Sequence, residues 1–280
     1  MLAYPAEGAT RVSRKLSRGE FFGGLFALGC ASGLAARVIQ SANRLGWGDA
    51  FFNTFEISAI VWGSCVAGVF LVLQDRAPAL RSRDLVLGAG FVFLNILPVG
   101  ALSWISITAL SIYVVATTVD ASSRRGAIIL LAVTVPMLWS RLLFQFFANL
   151  ILQIDASLVA FVLRTDRTGD MVRFADGSGL LVILPACSSL ANVSLAILCW
   201  VAVSQVVDHR YSARDLLWCL AACVSVITVN VMRISIQGIS QWHYDAFHGQ
   251  WGDMISNMII LGLTLCFSLS GVRRELFHRI

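Results

Sequence analysis

Long apolar runs separated by short polar segments fill almost the whole chain. The hydrocarbon core of a bilayer is about 30 Å thick, and an α-helix needs about 20 mostly apolar residues to cross it. By this criterion the runs predict eight membrane-spanning helices, at about residues 19–42, 53–73, 84–97, 101–119, 126–147, 188–207, 216–236 and 254–270. We therefore expect an all-α membrane protein, a single polytopic domain over residues 1–280 in which residues 1–147 form the N-terminal spans.

The pattern changes between the fifth and sixth of these runs. The segment ANLILQIDASLVAFVLRTD, residues 148–166, has apolar residues at helical spacing with Gln153 and Asp155 among them, which favours an amphipathic helix at the outer face of the membrane. The segment MVRFADGSGLLVIL, residues 171–184, alternates around an Asp-Gly pair, which favours a short β-hairpin. The hairpin leads the chain directly to Cys187.

The composition agrees with a membrane location. Apolar residues make up 58% of the chain and charged residues 13%, and the mean hydropathy is +0.78, which together exclude a soluble domain of ordinary composition. The net charge is +5, and all but one of the 21 basic residues are arginines, most of them clustered between the runs. This placement is typical of topology signals and not of a nucleic-acid surface. We therefore expect an inner-membrane protein with both termini in the cytoplasm, whose partners include the lipid bilayer and no nucleic acid.

One of the seven cysteines differs from the others in its position. Six lie inside apolar runs, where cysteine is usually a small core residue. The spacing of Cys219 and Cys223 resembles a metal pair, but no histidine or carboxylate lies nearby in the sequence to complete a site, so we expect no metal and no other cofactor. Cys187 instead lies where the hairpin ends and the sixth span begins, and a helix N-terminus favours the thiolate form of cysteine.

Two later segments reach the same face of the membrane as Cys187 in the eight-span topology. Arg233 lies about 26 Å along the seventh span and so near its outer end, and an ionisable residue inside a span is usually functional. His248 lies in the outer loop before the eighth span. These three are the candidate catalytic residues: a thiol nucleophile, a ligand for an oxyanion or carboxylate, and a general base.

Other polar residues near these positions are candidates for supporting the site or for taking the role of the general base. Three are expected to support the site: Asn230, Asn192 and Ser188. His243, five residues before His248, is an alternative base. In the structural alternative, Cys187 is a core cysteine and Arg233 extends to the lipid headgroups.

Residues 152–252 resemble the exosortase and archaeosortase family of multispan membrane proteins. The resemblance rests on MVRFADGSGLLVILPACSSL around Cys187, on NVMRI around Arg233, which is similar to an Asn-x-x-Arg motif, and on FHGQWG around His248. It implies that these three residues are the nucleophile, the essential arginine and the essential histidine of a catalytic core within residues 148–280.

The resemblance also implies a substrate class. Members of the family cleave C-terminal sorting signals, which consist of a short motif, a transmembrane helix and a basic tail. By analogy with sortases, they are understood to be transpeptidases. We therefore expect a membrane cysteine peptidase or transpeptidase whose substrates are membrane-anchored proteins.

The chain also departs from the family pattern, and other functions remain open. Ser189 stands where glycine is common, and Ala191 stands where a basic residue is often found. Glycine permits a closer backbone approach than serine does. On the residues alone, the alternatives are a transporter or channel component, in which Arg233 binds an anionic solute, and a non-catalytic assembly factor for envelope polymers.

Overall fold

The structure, a computed structural model, describes residues 16–76, 80–97, 99–210, 212–247 and 250–273. Most of these residues lie in eleven α-helices: α1 Arg18–Leu45, α2 Trp47–Phe52, α3 Ala59–Leu73, α4 Ser82–Ile96, α5 Gly100–Thr117, α6 Ala121–Thr134, α7 Ser140–Leu163, α8 Ser189–Val206, α9 Ala213–Gln237, α10 Gln241–Phe247 and α11 Gln250–Gly271. Six segments are long and apolar enough to cross a membrane: Arg18–Leu45, Gly100–Thr117, Ala121–Leu163, Ser189–Val206, Ala213–Gln237 and Met254–Gly271. The chain is therefore an all-α, multi-pass membrane protein, as its apolar pattern predicts.

Two of the eight predicted spans correspond to shorter helices. α3 and α4 have 15 residues each. Their length is about 22 Å, which is less than the thickness of the hydrocarbon core. The other six predicted spans coincide with the six long segments. That α3 and α4 also cross the membrane stays a prediction.

The fifth predicted span and the residues after it form one helical segment of 43 residues, Ala121–Leu163. Pro136 lies in a π-helical turn between α6 and α7, so the chain stays helical although proline lacks an amide donor. At Phe147 the φ of −121° and the ψ of 21° are not helical, and two helical segments meet there at a kink. Residues 148–163 therefore form a distinct helical segment after the kink, and their buried residues include Asp155. Its position at the outer face of the membrane stays a prediction.

The N-terminal half of the bundle packs around α1, α3, α5 and α6. Buried side chains of these helices, among them Phe26 and Leu130, form one hydrophobic cluster that also includes Leu198 of α8. α3 and α6 come close together at two glycines, where a Cβ on Gly126 would lie 2.5 Å from the carbonyl oxygen of Gly68. Small residues at such a crossing let the two helix backbones come into contact.

A small antiparallel sheet connects α7 to α8. Its strands, in spatial order, are β1 Arg167–Thr168, β2 Met171–Arg173 and β3 Leu180–Val182. Val172 lies opposite Leu181, and both belong to a second hydrophobic cluster with residues of α7 and α9. The loop between β2 and β3 turns at Gly177, whose φ of +74° glycine adopts without strain.

The β2–β3 loop is attached to the end of α9. Ala175 and Asp176 donate backbone hydrogen bonds to the carbonyl oxygens of Gly238 and Ile239, at 3.0 and 3.2 Å. Gly238, directly after α9, lies close to the end of α7: a Cβ there would be 2.6 Å from Leu163 Cδ1. The sheet is thereby fixed to both helices that surround Cys187.

Candidate active site

Cys187 lies in the turn between β3 and α8. A 3-10 turn, Pro185–Cys187, follows the extended segment, and α8 begins at Ser189. The cysteine is 9% exposed and belongs to the second hydrophobic cluster, together with Val231 and Ile234 of α9. The thiol-bearing residue is thus shielded by a distant segment of the chain and placed at a helix N-terminus.

Ser188 is the N-cap of α8. Its Oγ accepts a hydrogen bond from the backbone N–H of Leu190 at 3.2 Å, which satisfies one of the amides left free in the first turn. Ser188 therefore fixes where the helix begins. The positive end of the α8 dipole then lies directly after Cys187.

Asn230 joins α9 to the cysteine turn. Its Nδ2 donates hydrogen bonds to the Cys187 carbonyl oxygen at 2.7 Å and to Ser189 Oγ at 3.0 Å, and the side chain is only 1% exposed. Ser189, where the resemblance leads one to expect glycine, fits here because its hydroxyl accepts the second of these bonds. Two of the predicted motifs are thus in contact through buried hydrogen bonds.

Asp155 is a site residue that the sequence analysis did not identify. It is 3% exposed on α7, and its Oδ2 accepts a hydrogen bond from the Ser189 backbone N–H at 3.1 Å. A carboxylate at a helix N-terminus also interacts favourably with the helix dipole. The available signal was a single carboxylate within an otherwise apolar helical stretch, on the face that also carries the buried residues Leu152, Ala156 and Val159.

Arg233 lies on the same face of α9 as Asn230, nearly one turn further along, and is half-buried. One further turn along α9, Gln237 is 1% exposed, and its Nε2 donates a hydrogen bond to the carbonyl oxygen of Phe247 at 3.1 Å. Asn230 and Gln237 therefore hold two separate segments against α9, the cysteine turn and the end of α10. Arg233 lies between these two attachment points along the helix.

His248, the predicted general base, lies outside the residues that the structure describes. Its neighbour Phe247 ends α10 and accepts the hydrogen bond from Gln237. On the other side of this short connection, a Cβ on Gly252 of α11 would lie only 2.2 Å from the Phe247 carbonyl oxygen. The two ends of the FHGQWG segment are thus held against each other, and one of them is attached to α9.

His243 and Asn192 make other contacts. The Nδ1 atom of His243, in the first turn of α10, lies 2.8 Å from the Oγ of Ser240, the residue before that helix. On the β2–β3 loop, hydrogen bonds from the Ser178 hydroxyl and amide lower the pKa of Asp176, and the nearby His243 acts in the same direction. Asn192 is half-buried on α8 and takes part in none of the hydrogen bonds of the cysteine turn described above.

Comparison with protein-family models, with curated proteins and with solved structures finds no match for this chain. In the described part of the chain, no group of three or more His, Cys, Asp and Glu side chains is placed to hold a metal ion. The functional argument therefore depends on the geometry of the cysteine turn and of α9.

Replacing Asn230 by leucine tests how far the cysteine turn depends on α9. We expect Asn230→Leu to lower the free energy of unfolding by about 1–3 kcal/mol, because the buried Cys187 carbonyl loses its hydrogen bond. If the turn carries the nucleophile, its displacement should also slow catalysis by about a hundredfold. Thermal unfolding in detergent and a cleavage assay measure the two effects. Thr228→Val, at an exposed position of the same helix, is the matched control, and a folded Asn230→Leu protein with normal cleavage would contradict the assigned role.

Replacing Gly252 by alanine tests the close contact at the FHGQWG segment. The new methyl group would collide with the Phe247 carbonyl oxygen, so we expect Gly252→Ala to lower the free energy of unfolding by about 1–3 kcal/mol. Gly262→Ala, on the same helix, meets nothing within 4 Å and should be neutral or stabilising by about 0.5–1 kcal/mol, since alanine favours the helix. Opposite shifts in the apparent Tm of the two variants are the expected result. Equal shifts would show that the contact is not required.

Proposed function

We propose that this protein is an exosortase-like membrane cysteine peptidase or transpeptidase, which cleaves C-terminal sorting signals of membrane-anchored proteins. The observation that carries the proposal is the pair of buried hydrogen bonds from Asn230 to the Cys187 carbonyl and to the Ser189 hydroxyl. These bonds join two motifs that are 43 residues apart in the sequence. The proposed chemistry requires these motifs to be close together, because one carries the nucleophile Cys187 and the other carries Arg233.

In the proposed reaction, the Cys187 sulfur attacks the carbonyl carbon of the scissile peptide bond. His248 takes the thiol proton and returns it to the leaving amine, and the Arg233 guanidinium stabilises the negative charge on the carbonyl oxygen of the tetrahedral intermediate. Breaking the C–N bond leaves an acyl-thioester on Cys187 and releases the C-terminal fragment. An amine or water then attacks the thioester and restores the thiol.

Asn230 and Asp155 act in this proposal as positioning residues. Asn230 binds the carbonyl group of Cys187, and Asp155 binds the amide of Ser189, so the turn is held from α9 on one side and from α7 on the other. A nucleophile reacts fastest when its neighbours hold it near the attack geometry. The two buried contacts supply that support without touching the substrate.

The proposed topology has eight spans, with α3 and α4 as the two short ones, both termini in the cytoplasm and the cysteine turn at the outer face of the inner membrane. α8 has 18 residues and therefore spans about 27 Å from the cysteine turn to its other end. Arg210 and Arg214 follow that other end, which is the placement that the positive-inside rule gives to cytoplasmic loops. A substrate helix crossing the same bilayer would present its scissile bond near Cys187 and its basic tail on the opposite side.

Comparative membrane proteomics in the native host tests the proposal. Strains with the wild-type protein, with Cys187→Ala and with the control Cys199→Ala are compared by the C-terminal peptides of their membrane and secreted proteins. We expect uncut tails, each a transmembrane helix followed by basic residues, to accumulate only in the Cys187→Ala strain, and the cleavage motif is then read from the peptides. If all tails are unchanged while the Cys187→Ala protein is stably inserted, the proposal is wrong.

A further inference from the structure

A cavity rich in arginine lies at the end of the bundle opposite Cys187. Its volume is about 390 Å³, and it is formed where the chain leaves α8, enters α9 and leaves α11. Three arginines line it: Arg210, Arg214 and Arg273. The length of α8, about 27 Å, separates this cavity from the cysteine turn, so it is distinct from the candidate active site.

The carboxylate that lines the cavity interacts with other groups. Asp215 Oδ2 accepts a hydrogen bond from the Ser212 backbone N–H at 2.6 Å and lies 3.0 Å from His209 Nε2, while Oδ1 accepts from Ser212 Oγ at 3.3 Å. Among the residues that the structure describes, none of the three cavity arginines forms an ion pair. Three guanidinium groups therefore meet at one cavity without a carboxylate partner from this part of the chain.

Exposed leucines continue from these arginines along both helices. On α9, Leu217 and Leu220 follow Arg214 at intervals of three residues and are 67% and 50% exposed. On α11, Leu269 precedes Arg273 by four residues and is 44% exposed. Because residues three or four apart share a helix face, Arg214 lies at the end of an exposed apolar stripe on α9, and Arg273 lies two residues beyond the end of α11. α9 and α11 pack against each other, and both have exposed leucines within a few turns of the cavity.

The inner wall of the cavity is apolar and closely packed. Trp218 lines it and contacts Phe267 of α11, with ring centroids 6.4 Å apart. Gly271 also lines it, and a Cβ there would lie 2.4 Å from the Trp200 ring. Tight packing of this wall fixes the ends of α9 and α11, and with them the backbones that carry Arg214 and Arg273.

We propose that this cavity binds the phosphate headgroup of an anionic phospholipid. Guanidinium groups bind phosphate oxygens through paired, charge-assisted hydrogen bonds, and basic pockets between membrane helices are suited to anionic headgroups. The exposed leucines of α9 and α11 offer an apolar surface for the acyl chains, which a free phosphate or a nucleotide would leave unused. The proposal does not depend on the chemistry of Cys187.

The test measures phosphatidylglycerol binding to the purified full-length protein in detergent by native mass spectrometry. The double variant Arg214→Gln/Arg273→Gln removes two of the three cationic groups, and we expect it to bind phosphatidylglycerol about twentyfold more weakly than the wild type. The matched control is Arg173→Gln, an exposed arginine on β2, which should leave the affinity unchanged. Phosphatidylcholine and millimolar inorganic phosphate should not displace the bound lipid. Circular dichroism establishes that each variant is folded, and if the double variant is not, each single variant should show a loss of about fivefold.

Several results would overturn the proposal. Equal affinity of the folded arginine variants and the wild type would remove the cavity as the site. An equal loss in Arg173→Gln would show general attraction between a basic protein and an anionic lipid. Displacement by inorganic phosphate would identify a site for free anions, and equal binding of phosphatidylcholine would show that the negative charge is not recognised.

Discussion

Cys187→Ala should abolish cleavage of a membrane-anchored substrate while the protein still accumulates in the membrane. Removing the nucleophile of a peptidase lowers the catalytic rate by at least about 10⁴-fold, because the remaining groups have no covalent path to use. The folded state should change little, because alanine keeps the Cys187 carbonyl that Asn230 binds. The measurement is the rate of substrate cleavage by the purified variant in detergent or liposomes.

The matched control for this variant is Cys199→Ala. Cys199 is 2% exposed and lies on α8, ten residues and about 15 Å along the helix from its first residue, Ser189. Its loss should cost some stability through packing but leave the cleavage rate within about twofold of the wild type, since it is far from the cysteine turn. Equal activity of the two variants would exclude Cys187 as the nucleophile.

Asp84→Asn should cause the largest loss of stability among the substitutions considered. Arg18 and Asp84 form an ion pair between α1 and α4, with side chains 7% and 0% exposed and an Nε–Oδ2 distance of 3.2 Å. Tyr113 donates a hydrogen bond to Asp84 Oδ1 at 2.7 Å, and the Arg81 backbone N–H donates to Oδ2 at 3.0 Å. Removing the negative charge leaves the Arg18 guanidinium buried and uncompensated, which typically costs about 3–5 kcal/mol.

The exposed ion pair between Arg44 and Glu56 supplies the control. Its side chains are 62% and 45% exposed, so Glu56→Gln should change stability by less than about 1 kcal/mol. Thermal unfolding in one detergent compares the two variants directly. The double substitution Arg18→Met/Asp84→Leu should recover much of the loss, because it removes both charges together. If Asp84→Asn is no more destabilising than Glu56→Gln, the buried pair does not hold α1 and α4 together.

The helices could be predicted from the sequence, but some of their ends could not. Runs of about 20 apolar residues indicate spans because the bilayer requires that length, and six of them match long helices. The polar residues after Phe147 predict a separate amphipathic helix. In the structure Pro136 lies in a π-helical turn between α6 and α7, and the helical chain kinks at Phe147 before it continues to Leu163.

The candidate site was predictable in part. Topology alone places Cys187 and Asn230 near one face of the membrane, and the structure brings them into contact. The part played by Asp155 was not predictable, because hydrogen bonds depend on how each helix is rotated about its axis. In a bilayer the outward face of a helix is largely apolar, but the sequence pattern alone does not say which polar residue faces inward. On α7 Gln153 is exposed, whereas Asp155 is 3% exposed and Phe161 is 83% exposed.

Direct detection of the acyl-enzyme tests the central proposal most sharply. The purified protein is mixed with a substrate identified by proteomics, quenched in acid within the first turnover, digested and analysed by mass spectrometry. We predict that the peptide containing Cys187 carries the N-terminal part of the substrate as a thioester, that neutral hydroxylamine releases it as a hydroxamate, and that Cys187→Ala forms no such adduct. Continued cleavage by Cys187→Ala, or turnover by the wild type with Cys187 never modified, would contradict the account.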